Sequence, residues 1–362
     1  MQSAETNLSY WQQIQNTGQP LFLPDIGTYF NQDMAQAKSL VDELVKAGVK
    51  TIKGEILQNA DICLNASLSG NETYWGHQSQ QKKQENYRQL IERKVVSLEA
   101  YQELFEYAKA QGCDIIVSVY DFEGALFAQK IGVKAIKIAS SNITHQPLIE
   151  FVAELALPII IDTGHSSFEE IARAVNWMLD AGGRSENLLL EHSPLGPPNP
   201  VETHNLRFMQ TLGNSFGVAY GLSDHYFDDE MLYAATAMGA TVLEKGVCPN
   251  NMGDEQDGGH ALPISQVKTV FAKIQAIATA MGDGVRHLPR ERDKYISRMG
   301  LIAKTDIKAG DRLDLNNIGF AFPALGIGCE YWSEVNAKVF AKPVKAGQVI
   351  NWDDVRTDNT AG

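Results

Sequence analysis

The chain has 362 residues, of which 44% are hydrophobic and 21% charged, with a formal net charge of −13. That length predicts one large domain plus a smaller one, and the acid excess argues against a nucleic-acid surface while leaving room for a local basic pocket. Four scattered cysteines without a CxxC pair, no apolar run of membrane-spanning length and no secretory pattern in residues 1–20 point to a cytoplasmic protein with no membrane partner, disulfide framework or zinc ribbon.

From residue 21 onward, short apolar and β-branched runs alternate with segments of helical periodicity. The runs are LFLPDIG (21–27), VKTIKGEI (49–56), CDIIVSVY (113–120), VKAIKIAS (133–140), LPIIIDTG (157–164), NLLLEHS (187–193), FGVAYGLSDH (216–225) and ATVLEKGV (240–247). Between them, segments such as MAQAKSLVDELVKAG and SFEEIARAVNWMLDAGG repeat apolar residues every three or four positions. Eight such β-then-α units predict a (β/α)8 TIM barrel over 21–282, with 1–20 as an N-terminal extension. An open doubly wound sheet is the competitor, but no GxGxxG follows the first strand.

The basic, proline-containing stretch 283–298 reads as a linker. After it, AKTDIKAGDRLDLNNIGFAFP and AKPVKAGQVINWDDV are two similar pieces, each a strand, a Lys-Ala-Gly turn and another strand, which makes 299–362 a small β-rich module.

Barrel active sites lie at the C-terminal ends of the strands. Those ends carry Asp25, Lys53 with Glu55, Ser118, Lys137 with Ser140, Asp162 with Thr163, His192, then Ser223-Asp224-His225 and Glu244-Lys245. Lysines and hydroxyls suit a phosphate, and two histidines suit a divalent metal. A lone strand-end lysine is more often a snorkelling charge, and a lone histidine such as His260 or His287 more often hydrogen-bonded structure. Convergence on one rim is what favours function here.

Several stretches resemble the sialic acid (N-acetylneuraminate) synthases and their nonulosonic-acid relatives: PDIGTYFNQDMAQAKSLVDELVKAGVKTIKGE, KIASSNITHQPLIEFV, TGHSSFEEIARAV and GLSDH, in order and spacing, from about residue 21 to 355. The C-terminal module is similar to the antifreeze-like (SAF) domain of that family. The resemblance implies condensation of phosphoenolpyruvate with an open-chain amino-sugar aldehyde, releasing phosphate. It implies phosphoenolpyruvate contacts at Lys53, Ser118, Lys137, Ser140, Asp162 and Thr163, and metal ligands His192 and His225. Asp25, Lys53, Glu55 and Asp257 are then catalytic, with Mn2+ as the cofactor and Mg2+ or Co2+ as alternatives. A homodimer is implied too, in which the SAF domain of one chain covers its partner's barrel.

The departures are specific. Asp162 replaces a serine before Thr-Gly, and Asn142 replaces an acid two residues after Ser140. Glu-Lys-His-Phe reads Glu244-Lys245-Gly246-Val247, and the Asn-His of the first loop reads Tyr29-Phe30. An arginine that reaches the N-acyl group is Phe322, and of an Asp-His pair only Asp257 remains. Asn142, Tyr29 and Phe322 therefore mark the acceptor site. Two readings follow: a synthase for a non-standard aldehyde, or a diverged, non-catalytic paralogue with a binding or regulatory role.

Overall fold

The computed structural model describes residues 8–76, 79, 81–194, 200–287 and 295–357. The chain divides between Gly282 and Asp283 into two compact units. In the first, eight parallel strands are hydrogen-bonded in chain order: β1 (Leu21–Gly27), β2 (Thr51–Ile56), β3 (Asp114–Val119), β4 (Ala135–Ile138), β5 (Ile159–Asp162), β6 (Leu188–His192), β7 (Ala219–Asp224) and β8 (Val242–Cys248). β1 pairs with β8 in register from Leu21↔Val242 to Asp25↔Gly246, which closes the barrel and leaves no open edge between first and last strand. The strand runs read from sequence thus hold, trimmed by a few residues at most ends.

The helices start where side chains satisfy their free N–H groups. Asp33 accepts from the Ala35 and Gln36 amides ahead of Met34–Lys46, and Ser167 with Glu170 forms a capping box at Phe168–Asp180. Their apolar faces pack on the outward residues of the strands, among them Ile52, Val117, Ile136, Ile161, Leu190 and Leu243, to form the main core.

The inward residues form a second, separate cluster: Leu23, Ile116, Ala135, Ile160, Leu189, Ala219 and Val242, closed from below by Trp11. A short helix ahead of β1 supplies that floor. The helix Tyr10–Asn16 carries Trp11, 1% exposed, onto the barrel floor, where its indole N–H donates to the Asn187 carbonyl at 2.8 Å.

In the second unit, Gly300–Ala303 pairs antiparallel with Ile318–Ala321, and Val339–Phe340 with Val355–Arg356, around Leu301, Ile307, Leu313, Ile318, Phe340 and Ile350. The two similar pieces meet directly, with the Ile307 and Val344 backbones exchanging hydrogen bonds of 2.8 and 3.0 Å. Both Lys-Ala-Gly turns need their glycine, since Gly310 and Gly347 have φ of +89° and +81°. Of the expected linker 283–298, residues 288–294 lie outside the described residues.

Candidate active site

Strand alternation sets the chemistry of the barrel interior. One inward step above the apolar layer, every strand but β7 presents a polar side chain: Asp25, Lys53, Ser118, Lys137, Asp162, Glu191 and Glu244. β7, with Gly221 at that level, adds Ser223 one step higher. Except for Glu191, which lies beneath, these residues open into a cavity of about 520 Å³ at the C-terminal ends of the strands. Its upper walls add Tyr29, Glu55, Tyr87, Lys94, Tyr120, Ser140, Asn142, His225, Asp257 and His260.

Two buried ammonium groups organise the floor. Lys53 Nζ lies 2.6 Å from Asp25, 3.2 Å from Glu55 and 3.6 Å from Glu244. Lys137 Nζ lies 2.9 Å from Asp162, 2.8 Å from Glu191 and 2.7 Å from Glu244. Two lysines therefore face five carboxyl groups, and the surplus shifts the acids. Burial, with Glu55 and Glu244 nearby, pushes Asp25 up to about 7 against the pull of Lys53. Burial and Glu244 push Glu191 up to about 8. Asp162 goes the other way: burial raises it, but Lys137 and the Gly164 N–H outweigh that and hold it below its ordinary value. The Asp162 carboxylate is thus paired rather than left to repel an anion.

Of the residues expected at the site, Asp25, Tyr29, Lys53, Glu55, Ser118, Lys137, Ser140, Asn142, Asp162, His225 and Asp257 line this one cavity. Ser118 offers a buried hydroxyl with no partner. Three residues stand elsewhere. The Thr163 hydroxyl donates to the Glu191 carbonyl at 2.9 Å, away from the cavity. Phe322 belongs to the second unit and is exposed. His192 is not among the lining residues: it follows Leu190 on β6, its ring centroid lies 5.5 Å from that of Phe208, and its Nε2 is 2.6 Å from the His204 carbonyl oxygen. Glu191, the residue before it, continues the inward alternation of Leu189.

Two of the departures explain each other. A Cβ at Gly246 would lie 2.1 Å from the Tyr29 hydroxyl oxygen, so the Tyr29 ring occupies the space a side chain at 246 would need.

Lys94, Tyr120, Glu191 and His260 were not singled out for the site by sequence. Tyr120 Oη donates to Glu55 at 3.1 Å, and Lys94, 6% exposed, binds Asp257 at 2.6 Å. That last pair is one of several ties between the segment after β2, which holds an antiparallel pair Asn71–Gly76 and Gln81–Asn86 and the helix Tyr87–Glu92, and the loop after β8, with Lys83–Asp254 at 2.9 Å and Arg93–Glu255 at 3.0 Å. Together they fix the two loops that wall one side of the cavity.

Comparisons with known proteins agree with this layout. The NeuB family profile matches residues 40–286 and the SAF domain profile matches 298–356. An N,N'-diacetyllegionaminic acid synthase of Campylobacter jejuni is 28% identical over 91% of this chain and 98% of its own length. A pseudaminic acid synthase of Helicobacter pylori is 26% identical over 93% and 98%. The crystal structure of a spore coat polysaccharide biosynthesis protein E from Chromobacterium violaceum superposes with a TM-score of 0.70 at 24% identity, over 93% of this chain and 100% of that one. Among the described residues, no helix is long and apolar enough to cross a membrane.

Proposed function

The chain belongs to the NeuB family, and from that premise we propose that it is a phosphoenolpyruvate-dependent synthase. It joins the methylene carbon of phosphoenolpyruvate to the aldehyde carbon of an open-chain amino sugar. Water adds at the enol carbon, phosphate leaves, and a nonulosonic 2-keto acid forms. The observation that carries this reading is the single cavity in which Lys53, Ser118, Lys137 and Ser140 converge at the strand ends.

In this reading the two ammonium groups and the free Ser118 hydroxyl bind the phosphate and carboxylate by charge-assisted hydrogen bonds. Each lysine must then release carboxylate partners, which the protons on Asp25 and Glu191 make easier. Asp25 and Glu55, both in contact with Lys53, are placed to move protons at the enol carbon. A divalent cation, Mn2+ or alternatively Mg2+ or Co2+, supplies Lewis-acid polarisation of the aldehyde when bound. Asn142 and Tyr29 face the acceptor, and Phe322, from the partner chain of a homodimer, adds an apolar wall that suits a substituent less polar than N-acetyl.

The excess of carboxyl groups around Lys53 and Lys137 favours a second reading, a diverged paralogue that binds ligand without turnover. Phosphate release from phosphoenolpyruvate, assayed with Mn2+ and a panel of N-acetylated and N-acylated hexosamines, separates the two. Acceptor-dependent release is expected. Phosphoenolpyruvate binding in calorimetry without release for any acceptor would favour the paralogue.

A further inference from the structure

The water that adds at the enol carbon needs a base, and Asn142, an amide where the family resemblance expects an acid, cannot serve as one. The carboxyl groups of the cavity differ in what holds them and in how open they are. Asp25 is engaged on both oxygens, by the Gly27 N–H at 2.8 Å and by Lys53. The Asp162 and Glu244 side chains are 6% and 7% exposed and share Lys137, and Glu191 is wholly buried. Asp257 is more open but pairs with Lys94, and among the described residues it touches neither floor lysine. Glu55 combines the two properties: its side chain is 25% exposed and its Oε1 lies 3.2 Å from Lys53 Nζ. Its other oxygen accepts from the Tyr120 phenol. Tyr120 is pinned in turn. It directly follows β3, and Asp121 after it caps the helix Phe122–Ile131, accepting from the Gly124 N–H at 2.6 Å and from the Gln58 side chain at 3.1 Å. The segments leaving β2 and β3 are thus joined twice, through Glu55–Tyr120 and Gln58–Asp121. Burial and Glu55 push the Tyr120 hydroxyl well above its ordinary value, so it remains a donor.

Resting on the synthase reading above, we propose that Glu55 is the base that takes a proton from the water adding at the enol carbon, and that Tyr120 is the residue that positions it. The double-bond electron pair of phosphoenolpyruvate forms the bond from its methylene carbon to the aldehyde carbon, and the aldehyde oxygen takes a proton from solvent. The enol carbon is left electron-poor. The water oxygen bonds there as one of its protons passes to Glu55, which returns it to solvent. The bond from that carbon to the phosphate oxygen then breaks, the electron pair leaves with phosphate, and the second water proton goes with it as the ketone forms. A carboxylate tethered through both oxygens holds one orientation and still has lone pairs for the water. Tyr120 touches no reacting atom in this scheme; it acts through Glu55.

The test follows acceptor-dependent phosphate release by the full chain alongside calorimetric binding of phosphoenolpyruvate, with circular dichroism confirming that each variant is folded. Glu55→Ala should lower kcat at least about 100-fold, the scale of losing a general base. It should bind phosphoenolpyruvate at least as tightly as the parent, because Lys53 loses a competing carboxylate. Added formate should restore part of kcat in Glu55→Ala and none in the parent, a response that a structural role would not give. Should the alanine variant fail to fold, Glu55→Gln, of the same size but without a basic oxygen, reads the same loss. Tyr120→Phe should lower kcat about 10-fold, the scale of one hydrogen bond to a charged group, with KM for phosphoenolpyruvate unchanged. In the Glu55→Ala background it should change little, since its effect runs through Glu55. A kcat within about 3-fold of the parent in Glu55→Gln would overturn the assignment of the base. A Tyr120→Phe loss that is as large without Glu55 as with it would overturn the positioning role. Phosphoenolpyruvate bound by the parent with no release for any acceptor would instead refute the synthase reading, and this assignment with it.

Discussion

Replacing Lys137 with methionine tests whether the two lysines hold the barrel floor together. The side chain is 3% exposed and its ammonium is within 3 Å of Asp162, Glu191 and Glu244, all themselves buried. Methionine fills a similar volume but leaves three acids without their shared cation. Removing one partner of a buried ion pair costs about 3–5 kcal/mol, and here the acids can respond by taking up protons. Glu191, already pushed up to about 8, is neutral at pH 6 at no further expense, so the loss should be smallest in mild acid and grow toward pH 9. Urea unfolding followed by circular dichroism at both pH values reads the difference. Adding Glu244→Gln to Lys137→Met should recover part of the loss, because the two residues are in contact and their effects do not add. A loss under about 1 kcal/mol at both pH values, or one larger at pH 6 than at pH 9, would refute the reasoning.

Glu191→Gln should flatten the pH dependence of stability. The folded pKa lies above the unfolded one, so the native state binds more protons between them and stability falls as pH rises from about 4.5 to about 8; thermal melts at pH 5 and 8 that differ as much in the variant as in the parent would contradict this. Gly246→Ala should destabilise by about 1–3 kcal/mol through overpacking, and by less when Tyr29→Leu removes the hydroxyl oxygen 2.1 Å from the new Cβ; equal losses in both backgrounds would show that the ring and position 246 do not compete. Trp11→Ala should cost about 3–5 kcal/mol by opening the barrel floor, and a melting temperature within a degree of the parent would show that the N-terminal helix closes nothing.

The barrel was legible because each strand is a β-branched, apolar run bounded by turn residues and followed by a 3.6-residue pattern. The same feature hid the correct face of β6. Leu188-Leu189-Leu190 is apolar throughout, as strands buried on both sides are, so alternation in sequence cannot say whether Glu191 or His192 points inward. Lys94 was missed for a different reason. Its role depends on contacts between loops, with Lys94 and Asp257 separated by 163 positions, and no local pattern encodes such a meeting. Trp11 sits in a seven-residue helix of mostly polar residues, too short for periodicity to mark it as core. Tyr29 and Gly246 each looked like an isolated loss of a family residue; only their proximity reveals one exchange of volume.

Nuclear magnetic resonance of the reaction itself tests the synthase reading most directly. Phosphoenolpyruvate isotopically labelled at its methylene carbon is incubated with the full chain, Mn2+ and an amino-sugar acceptor that supports phosphate release. The label should leave the vinyl region and become the methylene of a 2-keto acid, coupled to the proton on the former aldehyde carbon, as one phosphate is freed per product. Label that stays in phosphoenolpyruvate, or that emerges as the methyl group of pyruvate by simple hydrolysis, would contradict carbon–carbon condensation at this site.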